Sequence, residues 1–179
     1  STVVAAGNAK GQSFSLPAPA TVSGFAFECD GVATTGSFSV KLYRAMDGKP
    51  WILTPVVSRN YALPAALADG DLFQVSLPSG MGLLRGSYLV ALEGIGATNF
   101  SLSTGTGVLY PTGAAARNNS PEGWRPLLDP NTDLVFAVLG NQEAPPPAPT
   151  GKPNILFILA DDLGWTDPQC GPTGPNVLK

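Results

Sequence analysis

The sequence predicts an all-β protein, an antiparallel β-sandwich of the jelly-roll kind, followed by a proline-rich linker and the opening strand of an α/β domain. Three observations carry that expectation. Short segments alternate apolar and polar residues, no stretch shows helical periodicity, and 21 glycines and 18 prolines punctuate the 179 residues. Period-two alternation over four to eight residues marks a strand with one buried face. Glycine and proline at this density suit tight turns between short strands.

In chain order, Phe25, Phe27 and Cys29 share one face of GFAFECD, and Phe38, Val40 and Leu42 share one face of SFSVKLYR. Phe73, Val75 and Leu77 follow, then Tyr88, Val90 and Leu92, then Phe100 and Leu102, and last Leu134, Phe136 and Val138. Between them stand Asp30-Gly31, Asp47-Gly48, Asp69-Gly70, Ser79-Gly80 and Glu93-Gly94, where glycine supplies the positive φ that turns require. About eight strands at this spacing suit a sandwich. No long repeat suggests a propeller or solenoid.

Composition narrows the function. Hydrophobic residues make up 44% and charged residues 13%, enough apolar surface for a core and little self-repulsion. Ten basic residues are scattered through a chain of net charge −3, which leaves no footprint for a nucleic-acid backbone. No apolar run is longer than that of residues 155–160, which falls far short of the roughly 20 residues that span a bilayer. The opening STVVAAGNAK has no charged segment leading into an apolar one and reads as a mature end after export, so a secreted or periplasmic protein is expected. Histidine is absent, which excludes a Ser/His/Asp or Cys/His device built within this chain. Cys29 reads as a small buried apolar residue, and a Cys29–Cys170 disulfide across two modules is the less favoured alternative.

One boundary stands out. EAPPPAPTG, residues 143–151, has the composition of an extended polyproline spacer. It divides a sandwich module, residues 1–142, from a tail, residues 152–179. In the tail, residues 155–160 are apolar without alternation, as in a strand covered on both faces. The run ends in Asp161 and Asp162, where ligands gather in open α/β sheets, and paired carboxylates there suit a hard cation such as Ca²⁺. For a bare Asp-Asp, a solvated strand-to-loop turn is the favoured explanation, since charged pairs after strands are common.

KPNILFILADDLGWTD, residues 152–167, resembles the opening of the catalytic domain of the sulfatase family, within the alkaline-phosphatase-like superfamily. The resemblance implies calcium-ligand roles for Asp161 and Asp162, with the nucleophile and remaining ligands outside these residues. That family makes its formylglycine nucleophile in a C-x-P-x-R signature. Cys170-Gly-Pro-Thr-Gly174 matches the first four positions but has glycine in place of arginine, so Cys170 is not expected to be catalytic. Earlier in the chain, GQSFSLPAPATVSGFAFECDG, GSFSVKLYRAMDG, LLRGSYLVALEG and GWRPLLDPNTDLVFAVLG resemble secreted β-sandwich modules of bacterial extracellular enzymes, many of which bind carbohydrate or anchor their protein.

The longest region without clear alternation, residues 108–133, reads as a ligand-bearing loop. It gathers Tyr110, Arg117, Asn118, Asn119, Trp124 and Arg125. An aromatic ring supports the apolar face of a sugar, amides bond its hydroxyls, and arginine takes a sulfate group bidentately, a set that fits a sulfated polysaccharide. The competing reading has Tyr110 and Trp124 plugging the end of the core. Trp51 is a second candidate of the same kind. Asp129-Pro-Asn131-Thr-Asp133 has calcium-loop spacing without the following glycine, and a type I turn explains it more simply. Two functions remain open: a non-catalytic, polysaccharide-binding module of a secreted sulfatase, or a structural or self-assembling extracellular protein whose apolar C-terminal strand pairs with a sheet edge in its own or a neighbouring copy.

Overall fold

Alternation along the chain becomes antiparallel pairing throughout the described residues, which are 1–31, 36–51, 53–65, 67–78, 81–106, 113–119, 123–127 and 132–142 of the computed structural model. The strands are β1 (Thr2–Val4), β2 (Asn8–Leu16), β3 (Ala20–Glu28), β4 (Ser37–Met46), β5 (Lys49–Pro50), β6 (Val57–Ala62), β7 (Leu72–Ser76) and β8 (Gly82–Leu83). They continue with β9 (Gly86–Ile95), β10 (Phe100–Leu102), β11 (Thr104–Thr106), β12 (Ala115–Asn119), β13 (Trp124–Pro126), β14 (Thr132–Leu134) and β15 (Phe136–Gln142). Among the described residues there is no helix, and so none long and apolar enough to cross a membrane.

The larger sheet runs β13-β12-β2-β9-β4. β4 is long enough to take two further partners, β6 along residues 37–42 and β5 at Ala45 and Met46. The smaller sheet runs β15-β3-β7, with β8 on the first residues of β3. Two ribbons, β1 with β10 and β11 with β14, complete the fold.

The inward positions are the ones the alternation marked. Phe38, Val40, Leu42, Tyr88, Val90 and Leu92 come from the larger sheet and Phe25, Phe27, Phe73 and Val75 from the smaller; all are buried in one cluster. Aromatic rings link the two sheets. Phe14 stacks on Tyr88 within the larger sheet at 5.8 Å and meets Phe25 of the smaller edge-on at 5.8 Å. Phe38 meets Phe73 across the sheets at 5.8 Å, and Phe27 stacks on Phe136 within the smaller sheet at 6.1 Å. Each such ring removed from water contributes about 1.5–3 kcal/mol, so this inter-sheet layer dominates the stability of a β-sandwich-like fold.

A second cluster lies on the opposite face of the larger sheet: Tyr43, Ala45, Leu89, Ala91 and Ala116, with Trp124 packed against it. β5 lies against β13, so the sheet curls over its own outer face and nearly closes. The β4–β5 hairpin that does this turns on Asp47 (φ 52°) and Gly48 (φ 72°), the left-handed pair that a two-residue hairpin needs.

Two expectations are corrected. Leu134, Phe136 and Val138 do not belong to one strand. The chain changes sheets at Val135, whose amide donates to Ser103 and whose carbonyl accepts from Glu28, so β14 pairs with β11 and β15 with β3. The stretch 108–133 is not a single long loop either, because β12 and β13 lie within it. Its alternation is hidden because the inward positions of β12 past Ala115 are Arg117 and Asn119, polar residues facing the side on which Phe14 is buried. The linker and tail, including Asp161, Asp162 and Cys170, lie outside the described residues.

Candidate functional site

The site is built from β2, β12 and β13. Ser13 fastens β12 to β2: its amide donates to the Ala114 carbonyl at 3.0 Å, while its Oγ accepts from the Ala114 amide at 2.8 Å. Gly113 permits the close approach, since a Cβ there would meet the Ser13 carbonyl at 2.0 Å. The Leu127 amide donates to the Ala115 carbonyl at 2.9 Å and holds the end of β13. The resulting register sets Lys10 opposite Arg117 and Arg117 opposite Arg125, with Asn8 opposite Asn119 in the adjacent row. Directly paired residues share a sheet face, so three cations stand in a row across three strands.

Exposure rises along that row. Lys10 is only 5% exposed, Arg117 is half-buried, and Arg125 is exposed. The Lys10 ammonium donates to the side-chain oxygen of Asn8 and, at 3.5 Å, to that of Asn119. Burial, and then the neighbouring Arg117 guanidinium, lower the Lys10 pKa to about 8. The Arg117 Nε is buried and has no hydrogen-bond partner. The ion pairs among the described residues are Lys41 with Glu93 at 3.0 Å and the N-terminal ammonium with Asp30 at 3.8 Å, so neither Lys10 nor Arg117 has a carboxylate partner among those residues. Asp133 is engaged by Gln12, whose Nε2 donates to its Oδ1 at 2.7 Å while the Gln12 Oε1 accepts from the Leu134 amide at 2.8 Å.

Strand alternation divides the residues gathered from the sequence. Arg117, Asn119 and Arg125 share the face of Lys10, whereas Asn118 and Trp124 are paired on the opposite face. There the Trp124 indole packs edge-on against Tyr43 at 6.1 Å, as a core plug does. Trp51, just beyond β5, is 66% exposed and offers the open aromatic surface that Trp124 lacks. Tyr110, Asp129 and Asn131 lie outside the described residues. Lys10 and Asn8 escaped the sequence reading, although a signal was there. In β2, Lys10 and Gln12 occupy the positions in phase with Phe14 and Leu16, so period two alone turns a lysine toward the core.

Cys29 is not placed as a nucleophile. Cys29 is fully buried, its thiol donates to the Gly31 carbonyl at 3.3 Å, and burial followed by the charges of Asp30, Asp71 and Asp69 pushes its pKa up. Among the described residues no group of three or more His, Cys, Asp and Glu could hold a metal ion. Two hollows of about 220 and 210 Å³ are lined by aliphatic, Ser, Thr and Asn side chains and offer no side-chain acid or base. Compared with known protein families, curated proteins and solved structures, the chain has no significant match.

Proposed function

We propose that residues 1–142 are a non-catalytic, jelly-roll-type module of a secreted sulfatase that holds the enzyme on sulfated polysaccharide. The observation that carries this reading is the row of planar donors, Arg117 and Arg125 beside Asn119, at the β12–β13 edge of a module with no nucleophile among its described residues. Guanidinium groups match the oxygens of a sulfate ester, amides match sugar hydroxyls, and the exposed Trp51 indole supplies an apolar platform. In the parent enzyme Asp161 and Asp162 would be two calcium ligands, a role that their hard carboxylate oxygens suit.

Retention of the protein on sulfated and chemically desulfated forms of one polysaccharide tests the reading. Binding should favour the sulfated form, weaken with salt, and fall roughly tenfold in Arg125→Gln, as loss of one charge-assisted hydrogen bond implies. Equal retention on both forms would refute it. A second reading draws on one observation. β15 pairs with β3 alone among the described strands and leaves an open edge to which an apolar strand of another copy could add.

A further inference from the structure

We infer that Lys10 and Arg117 form the inner half of an oxyanion subsite, entered from the β13 edge, that takes one sulfate group. A lysine this deeply buried is rare unless it is paired, and a buried Lys10 beside half-buried Arg117, with no carboxylate partner among the described residues, is a repulsive pair. A buried N–H without an acceptor demands an explanation, and the Arg117 Nε is one. Both groups are donors only. An ammonium carries three N–H bonds; Asn8 and Asn119 accept from it, and one N–H remains. A cluster of donors around net positive charge suits an anion rich in oxygen and disfavours a cation.

Access follows the exposure gradient, from Arg125 at the sheet edge through half-buried Arg117 to Lys10. The lowered pKa of Lys10 fits the same picture, since a bound anion would restore the charge that burial disfavours. The assignment deepens the glycan reading and rests on it for the source of the sulfate group. The subsite itself can be tested without a glycan.

Thermal melts at pH 7 in sodium sulfate, sodium phosphate and sodium chloride of matched ionic strength provide the test. Sulfate should raise the midpoint of the wild-type protein above chloride by roughly 2–4 °C, with phosphate no stronger. The rise should vanish in Lys10→Met and in Arg117→Gln. Lys10→Met removes a desolvated charge and keeps the aliphatic volume, so it stays folded and readable. An equal rise in wild type and both variants would be general salting of the folded state and would overturn the assignment. Titration of wild type with sulfate, followed at the Arg117 Nε–H resonance, gives a second measurement: a saturable shift supports the subsite, and no shift sinks it. A larger response to phosphate than to sulfate would overturn the choice of sulfate. A saturable sulfate response without preference for the sulfated polysaccharide would leave the subsite standing and remove the glycan reading.

Discussion

Lys10 gives the sharpest consequence of a single side chain. Its pKa is about 8 in the folded chain against 10.5 when solvated, so between these values the unfolded chain holds more protons than the folded one. Stability therefore rises with pH across that window and is lost as pH falls through about 8. Tyr43, Tyr61 and Tyr88 act in the opposite sense, because burial raises each above its ordinary value of 10.0 and the unfolded chain ionises first. Their contribution falls as pH climbs past 10, and that of Cys29, whose pKa burial raises from 9.0, falls past 9, which leaves roughly pH 8–9 as the clean interval. Denaturant titrations at about pH 8, 8.5 and 9 should show unfolding free energy increasing with pH. Lys10→Met should be more stable at pH 7 and lose that slope. An identical slope in the variant would mean that Lys10 is as solvated folded as unfolded.

At the scale of elements, pairing distances depend on glycines inside strands as well as on those in turns. Gly24 sits inside β3, where a Cβ would meet the Val75 carbonyl of β7 at 2.3 Å. Gly24→Ala must push the two strands apart or strain the backbone, and should cost about 1–3 kcal/mol. At Gly82 nothing lies within 4 Å, so Gly82→Ala serves as the control and should stay within about 0.5 kcal/mol of wild type. Comparable losses at both positions would show that β3 and β7 are not so closely apposed. These elements also show what was legible in the sequence. β3, β4, β7 and β9 could be read because their inward residues are large and apolar and, apart from such residues as Tyr43, Leu72 and Leu89, their outward residues are polar or small. β12 and β13 could not: they close the sheet edge, their inward side carries Arg117 and Arg125, and their outward side carries Trp124, reversing the usual pattern. The same reversal hid half of the site. Arg117, Asn119 and Arg125 were recognisable from residue type, whereas Lys10 and Asn8 belong to a strand about a hundred residues earlier and join them only through register.

For the whole molecule, both clusters and every described strand lie within residues 1–142, so the described packing ends with β15. Among the described residues the aromatic layer from Phe14 to Phe136 lies wholly within that span. A chain ending at residue 143 should therefore unfold cooperatively with a denaturation midpoint close to that of the full chain and keep its retention on sulfated polysaccharide. The two functional readings part here. If the apolar run at residues 155–160 adds to the open edge of β15 in another copy, the full chain sediments as an oligomer and the shortened chain as a monomer. If the module binds glycan and the tail belongs to the enzyme that follows, removing the tail changes neither retention nor its sensitivity to Arg125→Gln. Sedimentation of both chains, together with retention on the sulfated and desulfated polysaccharide, decides between them. Loss of cooperative unfolding on truncation would contradict the placement of the core within residues 1–142. Loss of the oligomer together with loss of retention would make self-association the function and glycan binding its consequence through multivalency, since two linked weak sites bind a polymer far more tightly than one.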